Sequence, residues 1–350
     1  MTSRPLRGAV GQTPLNVWQV LSGAGPVDAV SRQALAFRER FRAWGWGGGD
    51  VAASIDPRAK GFEPLRAMTA HPPAPDDVLL IHYSAYAPRL RDVLDLPNRK
   101  LLLSHNVTPA RWLWDHDATT ALHCELGRRQ LPDYAARCDL AAGVSSYNAA
   151  ELGSDVVIPP LLDLAWLRGS APANPPEVLF VGRMAPHKRQ DEAIRAFALY
   201  RRRHAPDARL VLVGEPLNAG YLTALRALAD RVGGVVFEHS LSPAQLAQRY
   251  ASASAFLCLS EHEGFCIPLL EAFAAGVPVV ARPAGGLPET AGDAALLVPD
   301  RDPAVVAELL ALAIADAGLR AELVSRGRAR VEHYAPERAA VALRDALEAL

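Results

Sequence analysis

Two glutamates, Glu263 and Glu271, are separated by seven residues where the sequence passes from an apolar strand at 255–260 to an apolar helix at 268–275. Open α/β sheets bind ligands at this edge. Glu271 can accept hydrogen bonds from vicinal ribose hydroxyls, as acidic residues do in dinucleotide folds, and Glu263 can accept from sugar hydroxyls. The backbone N–H groups of residues 264–267 would then face the sugar and phosphates at a helix N-terminus. Helix capping is the alternative explanation for either carboxylate.

A second cluster, Gly182, Arg183 and Lys188, follows another predicted strand. The glycine lets the backbone approach a ligand closely. Arginine binds phosphate oxygens through its fork and lysine acts as a point charge, so together they can neutralise a diphosphate. Because the chain has three lysines among its 37 basic residues, a lysine at this position favours a specific role. A solvated loop with ordinary surface charges is the alternative.

Two further motifs lie at the same kind of junction. Gly285-Gly-Leu-Pro-Glu289 is a glycine-rich turn after an apolar strand, and by itself it could be only a tight connection. His105 lies just beyond a strand of the first half, within Leu103-Ser-His-Asn-Val-Thr-Pro109. A lone histidine is more often structural than catalytic.

The elements that must position these residues alternate between strands and helices, which predicts an α/β fold with doubly wound layers. The first half predicts strands near 17–21, 51–54, 78–82, 101–104 and 140–144. The second half predicts strands at 177–182, 208–214, 235–238, 255–260 and 277–281, with helices at 190–203, 221–232, 243–253 and after Pro268. Three more helices follow Pro303, with a break at residues 334–336.

Composition sets outer limits on function. With 350 residues the chain suits two domains, and its 37 basic and 38 acidic residues cancel, which argues against nucleic acid as a partner. The four cysteines show no CxxC spacing, so reduced thiols are expected. The first twenty residues have no signal-peptide pattern and no apolar run approaches the length of a membrane span, so we expect a cytoplasmic protein.

A helix predicted from Val27 to Trp44 carries four arginines beside Phe37 and Phe41. Such a helix could make weak peripheral contact with the inner face of a membrane. Core packing of the aromatic side chains, with a solvated arginine face, is the favoured interpretation.

The order of these motifs resembles the retaining GT-B glycosyltransferases of family 4, also described as glycosyl transferases group 1. Val181-Gly-Arg-Met-Ala-Pro-His-Lys188 is similar to the family's G-R-x-x-x-x-K phosphate-binding stretch. Glu263 and Glu271 match its E-x7-E signature, and Gly285-Gly-Leu-Pro-Glu289 matches its G-G-x-P-E turn. The resemblance is close across residues 177–330 and looser before them.

The resemblance implies a role for each matching residue. Arg183 and Lys188, next to Gly182, would hold the donor diphosphate, and Glu271 would hold the nucleotide ribose. Glu263 would contact the transferred sugar, helped by backbone of the loop and helix start that follow it (Gly264, Phe265, Cys266 and Ile267). His105 would contact the donor sugar from the first half, and Gly25, with Asp28, would fall in the first glycine loop. The residues expected to act in catalysis are His105, Arg183, Lys188 and Glu263.

The fold implied is GT-B, in which two Rossmann-like doubly wound domains face each other across a cleft. Residues 1–165 would form the domain on the acceptor side, and the Gly, Ser and Pro content of 166–176 would make it the linker. Residues 177–330 would form the domain that binds the nucleotide sugar. Residues 331–350 would form a C-terminal helix that packs back towards the first domain.

The reaction implied is transfer of a hexose-like sugar from a nucleoside diphosphate sugar, UDP- or GDP-linked, to a glycan, lipid-linked or small-molecule acceptor. The anomeric configuration would be retained, without a metal or cofactor, which agrees with the lack of a His/Cys ligand cluster in the sequence. A non-catalytic subunit that binds the nucleotide sugar, or another GT-B enzyme such as a phosphorylase or an epimerase, is the alternative.

The sequence departs from the family pattern at two places. Glu215-Pro216 replaces the usual glycine-rich continuation after the strand at 208–214, which weakens any assignment of base contacts there. Ile158-Pro-Pro-Leu-Leu-Asp163 replaces the common I-P-N-G-V-D ending of the first domain, which leaves the hinge geometry open.

Overall fold

The computed structural model describes residues 14–26, 28–167, 169 and 171–350 of the chain. It contains two six-stranded sheets, one in each half, with helices between most successive strands. All strand pairs of the two sheets are parallel. The predicted α/β fold with two Rossmann-like doubly wound domains is confirmed.

The first sheet has the strand order β3-β2-β1-β4-β5-β6. Its strands are β1 (Val17–Leu21), β2 (Asp50–Ala52), β3 (Glu63–Pro64), β4 (Val78–Tyr83), β5 (Arg99–Ser104) and β6 (Leu140–Gly143). Its helices are α1 (Ala29–Ala43), α2 (Leu65–Ala70), α3 (Arg91–Leu94), α4 (Ala118–Ala135) and α5 (Ser146–Ala150). Starting from β1, the chain adds β2 and β3 on one side of the sheet and then β4, β5 and β6 on the other. This change of side creates a topological switch point between the carboxyl ends of β1 and β4.

The second sheet repeats this plan with the order β12-β11-β10-β7-β8-β9. Its strands are β7 (Glu177–Val181), β8 (Arg209–Val213), β9 (Val235–Glu238), β10 (Ala255–Cys258), β11 (Val279–Ala281) and β12 (Ala295–Leu297). Its helices are α6 (Gln190–Arg203), α7 (Ala219–Val232), α8 (Pro243–Ser252), α9 (Ile267–Ala274), α10 (Leu287–Ala291), α11 (Pro303–Ala315) and α12 (Ala317–His333). The switch point here lies between β7 and β10.

The central strands are buried on both faces, as parallel strands covered by helices must be. Every residue of β4 and of β10 is buried. Gly182 and Gly214 end β7 and β8 with φ of 153° and 150°, and a Cβ on Gly214 would lie 2.0 Å from the carbonyl oxygen of Gly182. The two glycines therefore allow the carboxyl ends of β7 and β8 to approach each other closely.

The last helix, α13 (Pro336–Glu348), contacts the first half of the chain. The guanidinium of Arg344 lies over Trp44 and Trp46, 5.6 and 5.9 Å from their ring centroids. Glu337 pairs with Arg40 of α1 at 3.2 Å. The predicted boundary between residues 330 and 331 lies within α12, which runs without a break from Ala317 to His333.

Helix α1 agrees with the expectation of a solvated arginine face at Arg32 and Arg42, which are exposed, and differs from it at Arg38. Phe37 and Phe41 are fully buried, but Arg38 is also buried, with Nε 2.9 Å from Oδ2 of Asp50. The guanidinium sits inside because Asp50 and three backbone carbonyls satisfy its donors. Val27, the predicted start of this helix, lies outside the described residues. No helix among those described is both long and apolar enough to cross a bilayer.

Some elements were not predicted. The two-residue edge strand β3 and the three-residue strand β12 are too short to show a pattern.

Residues 171 and 173 of the predicted linker donate backbone hydrogen bonds to the end of α8, so this stretch is bonded to the second half. Arg168 and Ser170 lie outside the described residues. Glu215, where the family pattern has glycine, accepts hydrogen bonds from the backbone and hydroxyl of Ser240.

Candidate functional site

The residues of the two main motifs meet at the switch point of the second sheet. Lys188 ends a short 3-10 turn after β7, and Glu263 lies in the loop after β10. Lys188 Nζ donates a 2.7 Å hydrogen bond to Oε2 of Glu263, and the two side chains are only 19% and 9% exposed. Burial lowers the pKa of Lys188, but the Glu263 carboxylate outweighs it and raises the pKa overall. The site therefore holds a charged ammonium.

Arg183, the other cation of the motif, is exposed and forms no ion pair with any residue that the structure describes. Its backbone carbonyl accepts a 3.0 Å hydrogen bond from Nε2 of Gln190, which fixes the backbone but leaves the guanidinium free. The motif thus combines one anchored cation with one unpaired cation. Such a pair can bind a diphosphate through Arg183 without first breaking an ion pair.

Glu271 lies on α9 with 6% of its surface exposed. Its Oε2 accepts a 2.7 Å hydrogen bond from the hydroxyl of Tyr250, which is fully buried on α8. Burial raises the pKa of Glu271, while the Tyr250 hydrogen bond and the charge of Arg32 oppose the rise. A cavity of about 170 Å³ lies beside it, bordered by α1, α9 and the segment 161–166. A polar ligand can reach the carboxylate from this cavity.

The segment between the two glutamates has a specific backbone shape. Cys266 adopts the left-handed conformation, with φ of 72°, directly before α9. Phe265 packs in the core, 5.0 Å edge-to-face from Tyr334, and its carbonyl accepts from Thr290 at 2.6 Å. Ile267 begins the helix. The side chain of Phe265 therefore has a structural role. A ligand could contact this segment through its backbone groups or through the residues next to Phe265.

Loops of the first half bind this region across the cleft. Trp112 Nε1 donates to Oε2 of Glu261 at 2.5 Å, and Nε2 of His262 lies 2.9 Å from Oδ1 of Asn106. Gly264 has no room for a side chain, since a Cβ would lie 2.6 Å from the Cβ of Asn106.

Two serines of the first half add further contacts. The hydroxyl of Ser145 donates to the carbonyl of Gly264 at 2.6 Å. Both the backbone N–H and the hydroxyl of Ser146 donate to Glu289, at 2.8 and 2.5 Å. The two halves are therefore closed on each other around the loops that carry the motifs.

His105 lies at the carboxyl end of β5, on the opposite side of the cleft. Its Nε2 is 2.9 Å from Nδ1 of His82, and the two rings stack with centroids 5.1 Å apart. Burial lowers the pKa of His105 to about 3, so the ring is neutral. His105 directly precedes Asn106, which contacts His262 of the second half.

Gly25 occupies the loop after β1. Its N–H donates to Oδ2 of Asp28 at 2.8 Å and to the hydroxyl of Ser31 at 3.0 Å. Asp28 also caps α1 by accepting from the N–H of Ser31. The backbone donor of Gly25 is therefore engaged within its own loop.

One set of side chains could hold a metal ion. The ligand atoms of Cys258, Glu263 and Cys266 lie within 4.8 Å of one another, and all three residues are buried. The ammonium of Lys188 already lies against Glu263, and its positive charge disfavours a cation there.

Several residues of the site carry no local signal in the sequence. Tyr250 lies in an alanine-rich helix, His82 lies inside an apolar strand, and Trp112 ends a three-residue 3-10 helix. The sequence neighbours of these residues give no reason to single them out. A buried polar residue within a strand predicted to be apolar, as at His82, is the one signal that could have been used.

The second half of the chain matches a known family. Residues 168–330 match the model described as glycosyl transferases group 1. A D-inositol 3-phosphate glycosyltransferase of Acidothermus cellulolyticus is 40% identical over 157 residues, which cover 42% of this chain and 35% of that relative. A GDP-mannose-dependent alpha-mannosyltransferase of Mycolicibacterium smegmatis is 34% identical over 180 residues, 51% of this chain and 44% of the relative. The chain thus matches less than half the length of each.

Solved structures match almost the whole chain. Sucrose-phosphate synthase from Thermosynechococcus elongatus aligns with a TM-score of 0.75 at 20% identity, covering 95% of this chain and 98% of that one. Anabaena HepE in complex with UDP-glucose aligns with a TM-score of 0.75 at 17% identity, covering 95% and 100%. At these identities the likeness shows the fold, which is GT-B. Residues 168–330 therefore form a glycosyl transferases group 1 domain, in a chain that folds as a GT-B protein.

Proposed function

We propose that the chain transfers a hexose-like sugar from a nucleoside diphosphate sugar to a glycan, lipid-linked or small-molecule acceptor, with retention at the anomeric carbon. The observation that carries the proposal is the Lys188–Glu263 pair beside the unpaired Arg183, at the switch point of the group 1 domain. Relatives named as glycosyltransferases and a structural neighbour in complex with UDP-glucose support it. UDP- and GDP-linked sugars are the donors we would test first.

Each residue has a role in this proposal. Arg183 and Lys188 stabilise the negative charge that grows on the departing diphosphate, where fixed cations have their largest effect on rate. Glu271 accepts from the ribose hydroxyls, using the oxygen that Tyr250 does not hold. Glu263 accepts from a hydroxyl of the transferred sugar when the diphosphate takes over part of the contact with Lys188.

The proposed chemistry uses one face of the sugar. The bond between the anomeric carbon and the phosphate oxygen breaks, and a bond to the acceptor oxygen forms on the same face. The acceptor proton passes to the departing phosphate oxygen. Glu263 is bound to Lys188 at 2.7 Å, which favours it as a hydrogen-bond acceptor over a nucleophile. The proposal needs no metal ion.

We also propose the division of the chain into a domain at 1–165, a linker at 166–176, a donor domain at 177–330 and a C-terminal helix at 331–350. The cation–π contacts between Arg344 and the tryptophans of the first half support the return of the last helix. A cytoplasmic location, with weak contact to a membrane surface, is part of the same proposal.

The test is release of nucleoside diphosphate from UDP-glucose and GDP-mannose, with and without candidate acceptors, after thermal-shift screening of the free diphosphates. Release that depends on an acceptor supports a transferase. Binding of a diphosphate without release would instead favour a non-catalytic binding subunit. The anomeric configuration of the product, read by NMR coupling constants, decides between retention and inversion.

A further inference from the structure

A row of polar side chains runs through the first sheet, from β2 to the loop after β5. Asp50 and Gln19 are register partners on β2 and β1, His82 lies on β4 next to β1, and His105 follows β5. Gln19 and His82 have no exposed surface. Polar groups buried in a sheet must satisfy their hydrogen bonds, so the hydrogen on each nitrogen can be assigned in turn.

The assignment begins at the amide of Gln19. Its Nε2 lies 2.6 Å from Oδ1 of Asp50 and 2.8 Å from the carbonyl oxygen of Ala34. Both partners accept hydrogen bonds and cannot donate them, so this end of the amide is the NH₂ group. Asp50 also accepts from Arg38, whose Nε lies 2.9 Å from its Oδ2. The other end of the amide, Oε1, faces Nε2 of His82 at 2.9 Å.

Because Oε1 can only accept, Nε2 of His82 carries a hydrogen. Burial lowers the pKa of His82 well below its usual value, and the neighbouring His105 lowers it further. A neutral imidazole has a single N–H, so Nδ1 of His82 is bare and accepts. It lies 2.9 Å from Nε2 of His105, which must therefore carry the hydrogen of that bond.

The remaining ring nitrogen of His105, Nδ1, is then a bare acceptor. Nδ1 makes no hydrogen bond to any residue in the described part of the chain, and His105 is partly exposed. We propose that His82 is a positioning residue that locks His105 in the Nε2–H tautomer and so presents Nδ1 as a hydrogen-bond acceptor for a hydroxyl group of the transferred sugar. The identity of that hydroxyl rests on the proposed function, whereas the tautomer does not.

The consequence is a defined polarity at this point of the cleft. Nδ1 of a neutral His105 locked in this way can accept a hydrogen bond but cannot donate one, so His105 is not a general acid towards the leaving group. A donor sugar that lacks the matching hydroxyl leaves Nδ1 without a partner in the closed cleft. Sites that hydrogen-bond a substrate hydroxyl discriminate strongly against the analogue that lacks it.

The first experiment reads the tautomer directly. In protein labelled with ¹⁵N-histidine, long-range ¹H–¹⁵N correlation spectra distinguish a protonated from a bare ring nitrogen, and the His105→Gln and His82→Gln variants assign the signals. We expect both rings to carry hydrogen on Nε2 near neutral pH, without any substrate. Hydrogen on Nδ1 of either ring overturns the proposal. This result does not depend on whether the protein transfers sugar.

The second experiment separates positioning from simple packing. His82→Leu removes both hydrogen bonds, whereas His82→Gln can donate to Gln19 through its NH₂ and accept from His105 through its oxygen. We expect kcat/KM for the nucleotide sugar to fall about tenfold in His82→Leu, as the loss of one oriented hydrogen bond implies, and to be largely rescued in His82→Gln. The Kd for the free nucleoside diphosphate stays unchanged in both, because its contacts lie in the second half.

The exposed His123→Gln on α4 serves as the matched control. A folded His82→Leu with wild-type kcat/KM overturns the positioning role. If His82→Leu does not fold, the tautomer of the wild-type protein and the rescue by His82→Gln still decide. If the wild-type protein transfers no sugar with any donor, the proposed function fails while the tautomer measurement stands.

Discussion

The hydroxyl of Tyr250 lies 2.7 Å from Oε2 of Glu271, and this contact joins helices α8 and α9 inside the second half. Burial raises the pKa of both groups. Because Oε2 is held by the phenol, the carboxylate can offer only its other oxygen freely to a ligand. The direction in which Glu271 faces is therefore set by a residue that precedes it by 21 positions.

Removing the phenol oxygen should weaken nucleotide binding. In Tyr250→Phe, Glu271 loses one hydrogen bond, worth about 1 kcal/mol, and its carboxylate is free to rotate. We expect the Kd of the preferred nucleoside diphosphate, measured by calorimetry, to rise about fivefold, and Glu271→Ala to raise it further. Tyr200→Phe, also buried in the second half, is the control. An unchanged Kd in folded Tyr250→Phe would contradict the role of the contact.

The Lys188–Glu263 pair allows stability and activity to be separated. Lys188→Met leaves the Glu263 carboxylate buried without its cation, so we expect a loss of about 3 kcal/mol in the free energy of unfolding and a large fall in turnover. The double variant Lys188→Met/Glu263→Gln removes both charges and should recover most of the stability but none of the turnover. Urea denaturation and diphosphate release measure the two quantities. Wild-type turnover in either variant would show that Lys188 does not serve the diphosphate.

The close approach of the two halves at Gly286 predicts a steric effect. A Cβ at this position would lie 2.2 Å from the carbonyl oxygen of Gly264 and 2.9 Å from Oγ of Ser145. We expect Gly286→Ala to cost about 1–3 kcal/mol and to reduce turnover by forcing the loops apart. Gly220→Ala, where a Cβ has only one neighbour at 3.5 Å, is the matched control. Equal melting temperatures and rates for the two variants would contradict the packing described here.

Buried histidines should make the fold sensitive to acid. Burial lowers the pKa of His262 to about 4 and that of His187 to about 2, from an ordinary value of 6.5. As the pH falls below 6.5, the unfolded chain takes up protons that the folded chain does not. The free energy of unfolding therefore decreases by about 1.4 kcal/mol per pH unit for each histidine. The loss continues until the pH reaches the folded pKa.

His262→Gln tests this dependence. Glutamine can still donate to Asn106 but does not titrate, so the fall in unfolding free energy between about pH 7 and about pH 5.5 should be shallower by up to about 1.4 kcal/mol per pH unit. The same pH dependence in this variant and in the wild-type protein would show that His262 is not neutral and buried in solution. The exposed His123→Gln should leave the pH dependence unchanged.

The sequence predicted the helices and strands that have recognisable boundary residues at both ends. Helix α6 runs from Gln190 to Arg203 and β9 from Val235 to Glu238, as expected, because polar or glycine residues border clear apolar periods there. Strand β12 has three residues and no alternation, so no periodicity could reveal it. The burial of Arg38 on α1 could not be predicted for another reason, since its ion pair depends on Asp50 in a separate strand.

The residues of the candidate site also fall into two groups, those within contiguous motifs and those that lie far from the motifs in the sequence. The sequence singles out Arg183, Lys188, Glu263 and Glu271 as candidates because each motif is contiguous in the chain. The fold brings Lys188 against Glu263 across 75 positions. The partners that orient them are not contiguous with any motif. Tyr250 reaches Glu271 from another helix, and Trp112 reaches Glu261 across 149 positions. Such pairings are products of the sheet crossovers and of domain contact, which no local pattern encodes.

The hydrogen bonds that Asn106, Ser145 and Ser146 make to the second half also have a kinetic meaning. Whenever the halves part, these bonds must break together, at about 1 kcal/mol each, so the parted form should be a small minority of the molecules. Capture of a nucleotide sugar would then wait for spontaneous parting, and its observed rate would level off at high concentration. A captured molecule would escape equally slowly, which gives the second substrate time to arrive.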